Sequence, residues 1–286
     1  MNYLLFNEFA QQGKARTLAE EEAKKLQPQI GEIELVNSTD LDLKAFFGER
    51  NAEDAVILLG GDGTLNYFVN KIEDLKLPCK TYLMPEGTGN DFVNDVKDTV
   101  DPKTGMVLLN EYVENLPIIE VKGKTYRFIN GIGYGIDGEC CVEANRHIAA
   151  GEKDINYGNI TVSLLLSGKY KAPNATVIID GGEPMTFKKA YLASAMKGRY
   201  YGGGMQIAPT QDRKSGKISF VCIYGKGRFG TLLMFPKLFS GQHLKYKKNV
   251  CLKEGSVIEV RFDRPTGLQI DGEVIEGVES YVARVK

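Results

Sequence analysis

The sequence predicts two domains of different class: an α/β domain whose parallel sheet is covered by helices on both faces, then a mainly antiparallel β half. Three observations predict this. Short runs of branched apolar residues alternate with helix-period segments as far as Pro117. Beyond it, strand pairs flank the turns Lys122-Gly123-Lys124 and Asp180-Gly181-Gly182. The chain also has 286 residues with 43% hydrophobic content, enough for two ordinary cores.

Residues 3–6 read as a first buried strand, followed by Asn7, a polar loop to Gly13-Lys14, and a helix with Ala15, Leu18, Ala19, Ala23 and Leu26 on one face. Pro28 is expected to end that helix. Residues 33–36 form a second strand, and Asn37-Ser38-Thr39-Asp40 supplies caps for a helix through Phe46 and Phe47. The third strand, residues 55–59, breaks into Gly60-Gly61-Asp62-Gly63-Thr64-Leu65-Asn66, after which Leu65, Phe68, Val69 and Ile72 recur at helical spacing. Residues 80–84 repeat the pattern, running through Pro85 into Glu86-Gly87-Thr88-Gly89-Asn90-Asp91-Phe92 and a short helix. A last helix is expected over residues 106–113. In the second half, residues 118–121 and 125–129 read as a hairpin, and residues 176–179 and 186–196 as another pair. Residues 217–224, 257–262, 268–270 and 273–275 continue an antiparallel sandwich.

Glycines around an aspartate let backbone N–H groups approach a ligand closely, and the helix N-terminus behind them carries partial positive charge suited to phosphate. A lone Gly-Gly-Asp-Gly is equally well explained as a tight strand-to-helix connection. Two such loops at the carboxyl ends of one parallel sheet point instead to a phosphate or nucleotide site, with Gly61, Asp62, Gly63, Thr64 and Thr88 around the phosphates. Asp62 repels phosphate unless Mg²⁺ or a water lies between them. Asp91 shares that task or merely favours the start of its helix.

Composition narrows the classes. With 36 Lys and Arg against 37 Asp and Glu, the net charge of −1 provides no global field for nucleic acid. Five cysteines, none spaced as a zinc or dithiol pair, fit a reduced cytoplasmic setting. His147 and His243 are the only histidines, too few for a multi-histidine metal centre. Residues 1–6 lack the features of a signal peptide, and no stretch approaches the roughly 20 apolar residues that span a bilayer. The expectation is a soluble protein with at most peripheral contact at the inner membrane face. Phe229, Leu232, Leu233, Met234, Phe235, Leu238 and Phe239, followed by His243, Lys245, Lys247 and Lys248, suit either such contact or a core-packed helix with a solvated basic end. Tyr200-Tyr201, before Gly202-Gly203-Gly204, is a candidate lining of a substrate cleft.

Taken together, Gly60 to Asn66, Pro85 to Phe92, Phe128-Ile129-Asn130-Gly131-Ile132-Gly133, Gly202-Gly203-Gly204-Met205 with Ala208-Pro209, and Gln269-Ile270-Asp271-Gly272-Glu273 resemble the diacylglycerol kinase catalytic-domain family. That family includes soluble bacterial lipid kinases and, more distantly, sphingosine and ceramide kinases. The resemblance implies a Rossmann-like three-layer nucleotide-binding domain over residues 1–117 and a lipid-substrate β-sandwich domain over residues 118–286, with the active site in the cleft between them. The last strand is left free to pair in either domain. It further implies ATP contacts at Asn7, Gly13, Lys14, Thr39, Gly60, Gly61, Gly63, Thr64, Asn66, Gly87, Thr88 and Asn90, and Mg²⁺ at Asp62 and Asp91. Glu273 corresponds to the base that accepts the lipid hydroxyl proton, and partial desolvation would raise its pKa usefully. Residues 268–275 are also an ordinary two-residue hairpin signature, which accounts for Asp271 and Gly272 without catalysis.

The chain departs from the family in places. The opening Asn-Pro-x-Ser-Gly is replaced by Asn7-Glu8-Phe9-Ala10-Gln11-Gln12-Gly13. An acidic residue usual before the Phe-x-Asn segment falls near Ile118 or Ile119, with Glu120 beside them. The Asp-Gly that follows Ala-Pro is Ser215-Gly216, so a structural metal there would need Asp212 on a shifted loop. The leading expectation is an ATP- and Mg²⁺-dependent kinase of diacylglycerol or a related lipid. A kinase of a soluble acceptor, similar to NAD kinases, and a nucleotide-binding regulator without catalysis are the alternatives.

Overall fold

The computed structural model describes residues 1–10, 13–87, 89–152 and 154–286. Internal packing divides the chain into two units, Met1–Leu116 and Pro117–Lys286. In the first unit the order is β1 (Asn2–Phe6), α1 (Ala15–Ile30), β2 (Ile33–Asn37), α2 (Leu43–Gly48), β3 (Ala55–Gly60), α3 (Asp62–Ile72), β4 (Lys80–Pro85), α4 (Asp91–Asp95), β5 (Val107–Leu108) and α5 (Asn110–Val113). The sheet order is β2-β1-β3-β4-β5. The first four strands are parallel and β5 runs antiparallel to β4.

Strand alternation divides the core. Leu4, Phe6, Ile57, Leu59 and Met84 pack on Ala15, Ala19 and Leu26 of α1. Leu5, Val56, Leu58 and Leu83 are buried on the opposite face. There α2 and α3 join through the Phe47 and Phe68 rings, 5.7 Å apart. Phe6 pairs with Asn37 and Gly60 with Pro85, so the loops after β1, β2, β3 and β4 share one edge of the sheet.

Three local expectations are corrected. Pro28 lies inside the last turn of α1, where its missing N–H removes one late bond, and the Gly31 N–H closes the helix on the Gln27 carbonyl. Asp42, not residues 37–40, caps α2 by accepting from the Lys44 and Ala45 N–H groups. The helix expected over residues 106–113 begins instead as β5, a strand too short to show alternation, before α5.

The second unit contains β6 (Ile118–Val121), β7 (Lys124–Arg127), β8 (Gly131–Tyr134), α6 (Ile136–Ala149), α7 (Tyr157–Ser167), β9 (Ala175–Ile179), β10 (Met185–Phe187), β11 (Leu192–Met196), β12 (Ile218–Ile223), α8 (Arg228–Met234), β13 (Val250–Gly255), β14 (Val257–Ile270) and β15 (Glu273–Arg284). The hydrogen-bonded order is β13-β12-β11-β8-β14-β15-β6-β7, with β9 on β14 and β10 on β9. The two short strands expected at 257–262 and 268–270 are one strand, β14. Its first part pairs with β9, its last with β8, and irregularities between Arg261 and Leu268 separate them. A strand that changes partners across bulges folds a sheet over itself, and the result is the expected antiparallel sandwich. Tyr134, Phe220, Phe262, Leu268 and Tyr281 fill its core. The last strand, β15, pairs with β14 and β6 inside this unit.

Helices α6 and α7 were not expected. The α6 sequence, Ile136-Asp137-Gly138-Glu139-Cys140-Cys141, opens with a poor helix former in the first turn. Gly138 is there because α6 lies on β14 backbone to backbone: a Cβ would sit 2.0 Å from the Gly267 carbonyl oxygen. Tertiary contact therefore decides this helix. Among the described residues, no helix is long and apolar enough to cross a membrane.

His243 is fully buried, its Nε2 3.0 Å from the Ile207 carbonyl oxygen. Burial holds its pKa below the ordinary value of 6.5. Below that value the unfolded chain binds a proton that the native state resists, so stability falls as pH drops through this range. The melting temperature is expected to decline from pH 7 to pH 5, with a shallower decline in His243→Gln. An equal slope in both proteins would remove His243 as the cause.

Candidate functional site

Two glycine loops meet at the carboxyl edge of the first sheet. Their glycines serve close approach more than turning. A Cβ on Gly60 would lie 2.1 Å from Thr64 Oγ1, and one on Gly87 would lie 3.0 Å from the Gly61 Cα. Gly63 faces open space. Asp62 ties the loops together: Oδ2 accepts from the Asp91 N–H at 2.7 Å and Oδ1 from the Phe92 N–H at 3.0 Å. Its carboxylate thus caps α4 while its own backbone begins α3. The first-turn N–H groups of α3, at Asp62, Gly63 and Thr64, precede any intrahelical acceptor, which suits an anion.

The second loop is shaped by Asn90, whose backbone is left-handed and whose Nδ2 donates to the Gly87 carbonyl at 2.8 Å. Asn90 Oδ1 is buried, with no hydrogen-bond partner among the described residues. Burial, with Glu22 second, pushes the neighbouring Glu86 carboxyl up. Asn66 is buried on α3. Asn7 and Thr39, at the ends of β1 and β2, come together: Thr39 Oγ1 lies 3.5 Å from Asn7 Oδ1 and accepts from the Glu8 N–H. Gly13 and Lys14 are exposed just before α1. Thr88 lies outside the described residues.

Asp62 and Asp91 offer hard oxygen donors. Two carboxylates, with remaining positions left to water and phosphate, are the donor set Mg²⁺ ordinarily takes. The residues therefore fit this ion.

In the second unit, Glu273 opens β15 directly after the left-handed pair Asp271-Gly272, in a two-residue hairpin. Its side chain is exposed. The hairpin signature and the special aspartate coexist. Asp271 is buried and accepts three backbone N–H bonds, from Ile129 at 2.7 Å, Asn130 at 2.9 Å and Gly131 at 2.8 Å. The Gly272 N–H bonds Gln269 Oε1, and Gln269 Nε2 donates to Asp137 Oδ2 at 2.9 Å. Glu139, two residues further along α6, accepts from Thr266 Oγ1 and the Gly267 N–H that the bulge in β14 leaves available. The first turn of α6 thus holds the hairpin that carries Glu273.

Residues 2–121 match the model of the diacylglycerol kinase catalytic domain, and residues 130–285 match that of the YegS C-terminal NAD kinase beta sandwich-like domain. The chain belongs to the diacylglycerol kinase catalytic-domain family. A Mycobacterium tuberculosis protein named diacylglycerol kinase is 25% identical over 220 residues, covering 74% of this chain and 69% of that protein. A crystal structure of a diacylglycerol kinase from Bacillus anthracis str. Sterne superposes with a TM-score of 0.63 at 15% identity, covering 99% of this chain and 94% of that one. At that identity the likeness is one of fold.

Family motifs located Asp271 and Gln269, but not what surrounds them. Arg213 donates to the Ile129 carbonyl and to Asn130 Oδ1 at 2.7 Å, and Lys197 Nζ donates to the Arg213 carbonyl at 2.7 Å. Burial, then Arg213, lowers the Lys197 pKa. The loop after Ala208-Pro209 is closed by its own hydrogen bonds. Its carbonyls at Asp212 and Lys217 already accept from Gln211 Nε2, and Asp212 Oδ1 accepts from the Lys214 N–H. Among the described residues, no group of three or more His, Cys, Asp or Glu is placed to hold a metal ion. Tyr201 does not line an open surface: it is buried, with its hydroxyl 3.2 Å from Ser194 Oγ.

Proposed function

We propose that this member of the diacylglycerol kinase family transfers the γ-phosphate of ATP to a hydroxyl of diacylglycerol or a related lipid presented at a membrane surface. The observation that carries this is the joining of two glycine loops by Asp62 at the N-termini of two helices, which builds an anion cradle with carboxylates beside it. Backbone N–H groups of Gly61, Asp62, Gly63 and Thr64 hold the phosphates, with Gly60, Asn66, Gly87 and Asn90 shaping the cradle and Asn7, Gly13, Lys14 and Thr39 at its rim. Asp62 and Asp91 hold Mg²⁺, which when bound offsets phosphate charge. Glu273 takes the proton of the acceptor hydroxyl as its oxygen bonds to the γ-phosphorus and the bond to the β-bridging oxygen breaks, releasing ADP. Among the described residues nothing bonds the Glu273 carboxylate, so it is available as an acceptor.

Incubation with γ-labelled ATP, Mg²⁺ and separate panels of extracted lipids and soluble alcohols, NAD included, tests this. Label is expected in a lipid, and Asp62→Asn should reduce it by about a hundredfold or more. Label only in soluble products would favour a soluble acceptor. ATP binding without transfer to either panel would make the protein a nucleotide-binding regulator.

A further inference from the structure

Asn7, Glu8 and Phe9 begin the loop that leaves β1, at the same edge of the sheet as the two glycine loops. β1 stands between β2 and β3. The chain passes from β1 to β2 on one side and then crosses to β3 on the other, so the strand order reverses between β1 and β3. The ligand crevice of an open α/β sheet lies outside the carboxyl ends of the strands at such a reversal. The loop after β1 and the Gly60-Gly61-Asp62-Gly63 loop after β3 are the two walls of that crevice.

Phe9 is 78% exposed, the highest value of any large apolar residue among those described. Local hydrogen bonds hold the backbone beneath it. The Phe9 N–H donates to Asn7 Oδ1 at 2.9 Å and the Ala10 N–H to the Asn7 carbonyl at 2.9 Å, a turn closed by the asparagine side chain. That turn is tied to the end of β2. The Glu8 N–H donates to Thr39 Oγ1, Thr39 Oγ1 to Asn37 Oδ1 at 2.8 Å, and Asn37 Nδ2 to the Glu8 carboxylate. The loop therefore keeps an aromatic ring in solvent on a braced backbone, which core packing does not explain. In the opening pattern Asn-Pro-x-Ser-Gly, Phe9 falls at the position left open, so family membership assigns it no role.

The geometry of the edge says what the ring meets. Neighbouring strands lie about 4.8 Å apart, which puts the loop after β1 roughly 5 Å from the loop after β3 and about 10 Å from that after β4. β5 runs antiparallel to β4, so the row of carboxyl-end loops continues from the glycine loops only toward β1 and β2. A nucleotide with its phosphates on the first turns of α3 and α4 accordingly extends its ribose and base over the loop after β1.

We infer that Phe9 is the stacking platform for the base of that nucleotide, and that it sets a preference for purine over pyrimidine triphosphates. A single ring among Asn7, Glu8, Asn37 and Thr39 covers one base, whereas a protein interface needs an apolar patch. The inference rests on the nucleotide part of the kinase proposal and is independent of the acceptor.

The chain contains no tryptophan, so Phe9→Trp places a single indole reporter at this position. The full chain with Mg²⁺ is titrated with ATP, CTP and inorganic tripolyphosphate, by calorimetry and by fluorescence of the Phe9→Trp protein. Wild type is expected to bind ATP several-fold more tightly than CTP. Phe9→Ser should weaken ATP about tenfold or more, remove most of the preference over CTP, and leave tripolyphosphate unchanged. Phe9→Tyr should restore ATP affinity, and ATP but not tripolyphosphate should quench the indole of the Phe9→Trp protein. Leu108→Ser, an exposed leucine on β5, should change nothing. Matching circular dichroism melts establish folding.

ATP affinity unchanged in Phe9→Ser would overturn the inference, as would equal losses for ATP and tripolyphosphate or an indole that ATP leaves unquenched. Phosphate transfer to a lipid with Phe9→Ser binding ATP like wild type would remove this role for Phe9 and leave the lipid-kinase proposal standing. Binding of ATP through Phe9 without transfer to any lipid would do the reverse.

Discussion

Asp271→Ala is expected to destabilise the second unit by about 3–5 kcal/mol, the largest effect of any single substitution considered for its stability. The carboxylate accepts the N–H groups of Ile129, Asn130 and Gly131, and Asn130 is 2% exposed, so water does not readily replace the lost acceptor. Hydrogen bonds to a charged group contribute roughly 1.5–3 kcal/mol each, and three at one carboxylate share their effect rather than add fully. Urea unfolding of the full chain, followed by far-ultraviolet circular dichroism, should show the transition of residues 117–286 moving to lower denaturant. Asp271→Asn keeps one acceptor oxygen and should fall between wild type and Asp271→Ala. A shift below about 1 kcal/mol for Asp271→Ala would mean that the Asn130 segment is held chiefly by Arg213 and the Lys197 backbone.

Glu273→Gln is expected to lower kcat by about 10²- to 10⁴-fold while leaving nucleotide affinity and melting temperature unchanged. The substitution keeps size and polarity but cannot take a proton. Glu273 is exposed, so its exchange should cost the fold little, in contrast to its neighbour two residues earlier. Turnover with γ-labelled ATP and a saturating lipid acceptor, beside calorimetric ATP binding, separates the two effects. A kcat within a few-fold of wild type would transfer the base role to another group, and parallel losses in kcat and ATP affinity would point to a disturbed nucleotide site instead. The contrast is useful because Asp271 and Glu273 share one hairpin: one change should act on stability and the other on chemistry.

Much of the candidate site was legible because its requirements are local. Gly60, Gly61 and Gly87 announce backbone approach, and the spacing of Leu65, Phe68 and Val69 announces the helix behind it. The function of Asp62 was only half legible. Like-charge repulsion suggested a metal or water, whereas its bonds to the Asp91 and Phe92 N–H groups span nearly thirty residues and follow no local period. The same holds for Arg213 and Lys197, which reach the Asn130 segment from other loops.

By itself, the sequence determined the order of classes along the chain, the two glycine loops at one sheet edge, and the turn that precedes Glu273, since apolar periodicity and turn chemistry act over a few residues. The tertiary structure decided that α6 exists despite Gly138, that β14 is one bent strand rather than two, and that Asp62 and Asp271 are clamps. It also decided that Met234 and Leu238 of the apolar run around α8 are core while Phe229 and Leu233 are surface. Each of these depends on partners distant in sequence, where burial and unsatisfied backbone groups outweigh local propensity.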